Sequence, residues 1–88
     1  MKDHPLRTLF NRLRWTEREP SRFIIQFIHR GAPEDRREIH FSEVDDIGKG
    51  WFRIRGEESP IPFHRVLEVV DVKKDLILWR NRKIGNHR

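Results

Sequence analysis

The chain contains no cysteine. Disulfides, thiolate metal sites and cysteine nucleophiles are therefore excluded, and the zero count fits a cytoplasmic location. No apolar run approaches the roughly 20 residues a helix needs to cross a bilayer, so no membrane partner is expected. The opening Met1-Lys2-Asp3-His4-Pro5 leads into an amphipathic stretch and not into the apolar core of a signal peptide. Internal repeats and low-complexity segments are missing. So are the Gly-Lys-Ser/Thr ending of a Walker loop, the H-E-x-x-H spacing of a zinc site and the paired His-x-Ser/Thr motif of two-histidine phosphoesterases. No cofactor or metal is expected on these grounds. Hydrophobic residues are scarce, at 35%, while charged residues reach 38%; the first is low for a globular chain and the second high. The apolar residues nevertheless fall in periodic clusters, which argues for a fold over disorder.

The 88 residues are enough for one domain. A compact unit is expected over 1–80, with 81–88 as a basic polar tail that has little reason to order. Nineteen Lys and Arg oppose fourteen Asp and Glu, for a net charge of +5. That balance favours an anionic partner, nucleic acid or an acidic surface. Arg is the dominant cation, and Arg can fork two hydrogen bonds onto a phosphate or stack on a base.

Asp3 and Pro5 mark a helix start, with a capping carboxylate and a proline in the first turn. Leu6, Leu9, Phe10 and Leu13 follow as one apolar stripe, while Arg7, Asn11 and Arg14 share another face. Trp15 falls at or just past the end. Phe23, Ile25 and Phe27 alternate with Ile24, Gln26 and Ile28, so Arg22 to Arg30 reads as a central strand. Gly31 to Arg36 is a turn by composition, and Arg37 to Phe41 a second strand of the same hairpin. Ser42-Glu43-Val44-Asp45 resembles a capping box, which predicts a helical turn. After the Gly48-Lys49-Gly50 break come three further strands, Trp51 to Arg55, Val66 to Val72 and Leu76 to Arg80. The expected class is α+β: a small, strongly bent antiparallel or barrel-like sheet of about five strands with one N-terminal helix.

Two His-Arg pairs, His29-Arg30 and His64-Arg65, each sit where a strand meets a loop. Imidazole donates a hydrogen bond and guanidinium supplies charge and a forked donor, so such a pair suits an anion. A buried His bonded to backbone, with its Arg in a structural ion pair, is the competing reading. Gly31 and Ala32 allow close backbone approach, and free N–H groups there would cradle a phosphate; a plain hairpin turn is the stronger expectation, with Asp35 either capping it or paired with Arg36 or Arg37. Trp51, Arg53 and Arg55 share one strand face. Trp51, and Trp79 beside Arg80, are candidates for base stacking if exposed and for core if not. His29 and His64 would serve as general base and acid only if the fold brought them within a few ångströms.

These segments carry a resemblance. Leu9-x-x-x-Leu13-x-Trp15, Ile28-His29-Arg30-Gly31-Ala32-Pro33-x-Asp35, Ile61-Pro62-Phe63-His64-Arg65-Val66 and Leu78-Trp79-Arg80 are similar to the archaeal domain of unknown function 504 (uncharacterised protein family 0248). That family is also described as an RNA cyclic group end recognition domain. The resemblance covers about Leu6 to Arg80. It implies a small stand-alone archaeal domain, with eukaryotic relatives fused to RNA-processing domains. It also implies recognition of RNA ends bearing a cyclic phosphate, or of RNA that yields them. The contacts it implies are His29, Arg30, Asp35, His64, Arg65 and Arg80. The expected partner is therefore RNA, together with RNA-processing proteins. A binding module is expected ahead of an enzyme; an RNA phosphoesterase using His29 and His64, and a protein adaptor with structural His-Arg pairs, are the alternatives.

Overall fold

The computed structural model describes residues 4–16 and 18–82. Helix α1 (Pro5–Thr16) precedes seven strands among the described residues: β1 (Phe23–Ile28), β2 (Arg36–His40), β3 (Val44–Ile47), β4 (Trp51–Ile54), β5 (Ile61–Pro62), β6 (Val66–Asp71) and β7 (Leu76–Arg80). Antiparallel pairing gives a four-stranded sheet in the order β2-β1-β6-β7 and a three-stranded sheet in the order β3-β4-β5. The class is the expected α+β with one N-terminal helix. The strands do not close into a barrel. Strands β3 and β5 add to the five read from sequence. The helical turn also starts earlier than the capping-box reading placed it, at Phe41–Glu43. Glu43 accepts the His40 N–H at 2.8 Å, so His40 takes the cap position that the spacing had assigned to Ser42. The tail read as unordered lies outside the described residues from 83 onward.

α1 forms because Leu6, Leu9, Phe10 and Leu13 line one side, and all four are buried. The expected cap, Asp3, lies outside the described residues. The observed cap is His4. Its Nδ1 accepts the Leu6 N–H at 3.0 Å, and its carbonyl accepts those of Arg7 at 2.9 Å and Thr8 at 3.3 Å. The Thr8 bond is the first of the regular helix ladder; of the N–H groups before it that lack such a partner, those of Leu6 and Arg7 are thereby satisfied, and Pro5 has none.

Strand β1 is central, as its two apolar faces predicted, with Phe23, Ile25 and Phe27 buried. Phe10 of α1 packs on the three-stranded sheet and on the two turns that lead to and from it. Its ring meets those of Phe41, Phe52 and Phe63 at 5.5, 5.7 and 5.8 Å, the last two edge-on. Phe27 meets Phe52 edge-on at 5.9 Å. Each such pair adds about 0.5–1.5 kcal/mol beyond its buried area.

The β6–β7 hairpin hangs on Asp71, which is 2% exposed. Its Oδ2 accepts two bonds from Arg22, at 3.2 and 2.8 Å. Its Oδ1 accepts the backbone N–H groups of Lys73 and Lys74 at 3.1 and 3.2 Å. The Arg22 guanidinium holds this carboxyl below the usual carboxylate range. The buried charge is thus paired and fully bonded, as burial requires. No helix among the described residues is long and apolar enough to cross a membrane.

Candidate nucleic-acid interface

Register decides which residues meet. Ile28 opposes Arg36, and Phe27 opposes Val66. Glu68 opposes Arg80, and the Asn81 N–H reaches the Leu67 carbonyl at 2.9 Å. The C-terminal ends of β1 and β7 and the N-terminal ends of β2 and β6 therefore share one end of the four-stranded sheet. His29, Arg30, Asp35, His64, Arg65 and Arg80 all sit there, although they span much of the chain.

The loop after β1 is a closed turn. The His29 N–H bonds the Asp35 carbonyl at 2.8 Å, and the Ala32 N–H bonds the His29 carbonyl at 3.2 Å. Asp35 returns its own N–H to Ala32 at 2.8 Å and accepts the Gly31 N–H on its carboxylate at 3.3 Å. The N–H groups of Gly31 and Ala32 are thus consumed inside the loop, and the phosphate-cradle reading of this backbone is not realised. Gly31 sits at φ +95°, a conformation that suits its missing side chain. His29 is half-buried, with its ring edge-on to Phe27 at 6.2 Å. Arg30 is exposed.

The second pair is presented by a short 3₁₀ turn, Phe63–Arg65. Ile61, Phe63 and Val66 are buried and pin the turn to the core. The two residues between the last two anchors, His64 and Arg65, are left exposed. A cavity of about 260 Å³ opens beside the turn, lined by His4, Pro5, His64, Trp79, Asn81 and Arg82. Asn81 holds its rim, donating from its side chain to the carbonyls of His64 at 3.3 Å and Val66 at 3.1 Å. A shallower groove of about 540 Å³ continues along β7 past Trp79 and Arg82 to Ile77.

No sequence pattern singles out His4, yet the structure brings it to this cavity. Its ring packs 5.1 Å from Phe63 and 6.1 Å from Trp79. Because Nδ1 accepts a hydrogen bond, the neutral ring carries its proton on Nε2. Burial pushes its pKa below the ordinary 6.5. Asn81 and Arg82 were missed as well. No pattern marks them; they join the cavity only because β7 pairs with β6.

The remaining residues divide. Trp79 is half-buried, packs on the core and lines both depressions. Trp51 lies in the other sheet opposite Pro62, half-buried, with its indole over Gly48. Arg80 forks from Nε and Nη2 onto Glu68 Oε2 at 3.0 and 2.8 Å. Arg30 and Arg65 form no ion pair among the described residues. His29 does not line the cavity that His64 lines, so no acid–base pair of those two is assembled there. Neither ring has a hydrogen-bond partner among the described residues, so the satisfied, buried histidines of the adaptor reading are not observed. His40, the histidine of the lone His-x-Ser spacing, bonds the Ser21 carbonyl through Nδ1 at 2.6 Å. No group of three or more His, Asp or Glu among the described residues is placed to hold a metal.

Fold and site together define a small basic α+β protein in which one sheet end gathers imidazole, guanidinium and indole groups. A family model described as the MJ1316 RNA cyclic group end recognition domain matches residues 1–81, and the chain belongs to that family. It is 33% identical over 78 residues to UPF0248 protein MMP0286 of Methanococcus maripaludis, covering 88% of this chain and 99% of the relative. A UPF0248 protein of Methanococcus vannielii is 34% identical over 84 residues, covering 94% and 99%. One from Saccharolobus islandicus is 32% identical over 72 residues, covering 80% and 90%. No solved structure matches the chain.

Proposed function

We propose that this protein binds single-stranded RNA by its 3′ end and prefers an end closed as a 2′,3′-cyclic phosphate. The observation that carries the reading is the cavity beside His64. It joins an exposed imidazole, a half-buried indole and a guanidinium, in a family described by RNA cyclic group ends. A 2′,3′-cyclic phosphate is a compact monoanion without a free 2′-OH. Hydrogen bonds from His64 and a charge-assisted fork from Arg65 or Arg82 suit it. The neutral His4 adds a donor through Nε2–H, and the terminal base stacks on Trp79. His29, Arg30 and Arg80 extend the positive rim, Arg80 only after giving up Glu68. Asp35 holds the loop that carries Arg30 and does not touch RNA. Trp51, seated on Gly48 in the other sheet, is outside this contact.

The experiment is a binding titration with matched short RNAs ending in 2′,3′-cyclic phosphate, 3′-phosphate and 3′-hydroxyl, repeated at two salt concentrations. The expected result is tightest binding to the cyclic end, with affinity for all three falling steeply as salt rises. Equal affinity for the three ends would overturn the end preference, and absence of binding would overturn the RNA reading.

A further inference from the structure

Trp15 is 80% exposed. In an amphipathic helix at 3.6 residues per turn, it falls on the pole opposite the stripe of Leu6, Leu9, Phe10 and Leu13. Nothing in the core calls for an indole there. Its surroundings are polar: Thr8, Asn11 and Arg12 share that side of α1, and Arg14 flanks it. The helix contains no acidic residue. Arg12, Arg14 and Arg18 are all exposed and form no ion pair among the described residues. One large aromatic ring among unpaired guanidinium groups is a poor apolar interface, because no contiguous apolar patch surrounds it. It suits a strand that offers flat bases and phosphates in alternation.

We infer that the solvent face of α1, with Arg18 just beyond its end, is a second RNA contact, in which Trp15 stacks on a base and Arg12, Arg14 and Arg18 hold the adjoining phosphates. This rests on the end-binding reading for its placement. His4 and Pro5, at the start of α1, line the cavity beside His64. Trp15 lies ten residues beyond Pro5, roughly 15 Å along the helix axis at 1.5 Å per residue. A strand seated by its 3′ terminus in the cavity reaches Trp15 after a few nucleotides. Bases read there lie upstream of the end and stack without sequence preference, since every base has a π-face.

The test uses the full chain and two RNAs ending in 2′,3′-cyclic phosphate, a dinucleotide and a longer oligomer. Trp15→Ala removes a side chain with almost no burial, so its melting curve should match the wild type. The expected result is that Trp15→Ala binds the oligomer about fivefold more weakly or worse and the dinucleotide unchanged, while Trp15→Phe keeps most of the affinity. Arg12→Ala combined with Arg14→Ala should flatten the salt dependence for the oligomer alone. Wild-type binding of the oligomer by Trp15→Ala would overturn the inference and leave end recognition intact. Equal loss for dinucleotide and oligomer would overturn it too. If the wild type ignores the end but Trp15→Ala still weakens the oligomer, end recognition fails and the α1 contact stands.

Discussion

Arg37 of β2 bonds both carboxylate oxygens of Glu57, one through each terminal guanidinium nitrogen. Glu57 lies in the loop between β4 and β5, so this pair ties the four-stranded sheet to the three-stranded one. The same guanidinium sits over the Phe27 ring at 5.9 Å. The bond from Arg37 holds the Glu57 carboxyl below its ordinary 4.5, and the charge of His29 adds to the effect. A depressed carboxylate contributes stability that is present above its ordinary pKa and is lost as pH falls through the lowered folded value. Both side chains are about one-third exposed, so solvent screens the pair and Glu57→Gln should cost about 1 kcal/mol or less. The variant should lose less stability than the wild type below pH ~4.5. Freed from its partner, Arg37 should raise RNA affinity at low salt. Denaturant melts across pH and an RNA titration check the two halves separately.

Arg65 is exposed beside a turn whose anchors are Phe63 and Val66, so Arg65→Ala should fold normally. Loss of a charge-assisted phosphate contact should weaken cyclic-ended RNA by about 1–3 kcal/mol. His64→Ala should narrow the gap between cyclic and hydroxyl ends. Unchanged affinity in a folded Arg65→Ala protein would remove Arg65 from the interface.

The His4 cap makes the start of α1 pH-sensitive. Nδ1 must be unprotonated to accept the Leu6 N–H, and burial lowers the His4 pKa from 6.5. A histidine with a depressed folded pKa contributes stability that is fully present above 6.5 and is lost as pH falls through the folded value. His4→Asn keeps a capping side chain without a titrating group. Wild type and variant should have similar stability at pH 8, with the wild type losing more on acidification to pH ~5. Parallel curves would show that the cap does not titrate.

Gly48 has no room for a side chain. A β-carbon there would strike the Trp51 indole, which is also fixed by the Gly48 N–H bond to the Trp51 carbonyl at 2.8 Å. Gly48→Ala should destabilise the three-stranded sheet by roughly 1–3 kcal/mol and shift the Trp51 emission. Because Trp51 does not line the cavity beside His64, affinity of the folded variant for RNA ends should not change.

Patterns that repeat within one segment were readable from the chain. The stripe Leu6, Leu9, Phe10, Leu13 marked α1, alternation marked β1, β2 and β4, and short apolar runs marked β6 and β7. Strand β3 was hidden because Val44-Asp45-Asp46-Ile47 does not alternate, and its pairing with β4 carries an irregularity between Val44 and Asp46. Strand β5 is two residues long, one of them proline, too short for any period to show. Glu57 and Asp71 were invisible as structural ions because their partners, Arg37 and Arg22, lie 20 and 49 residues away.

By itself the sequence determined the α+β class, the absence of thiol chemistry, the cationic balance and the position of the His-Arg pairs at strand ends. These follow from composition and local period, which are properties of neighbouring residues. Tertiary structure alone decided that β6 sits between β1 and β7 and that His4 rather than His29 shares the cavity with His64. Sheet order and register join segments far apart in the chain, and a slip of one residue would turn every side chain of a strand to the other face.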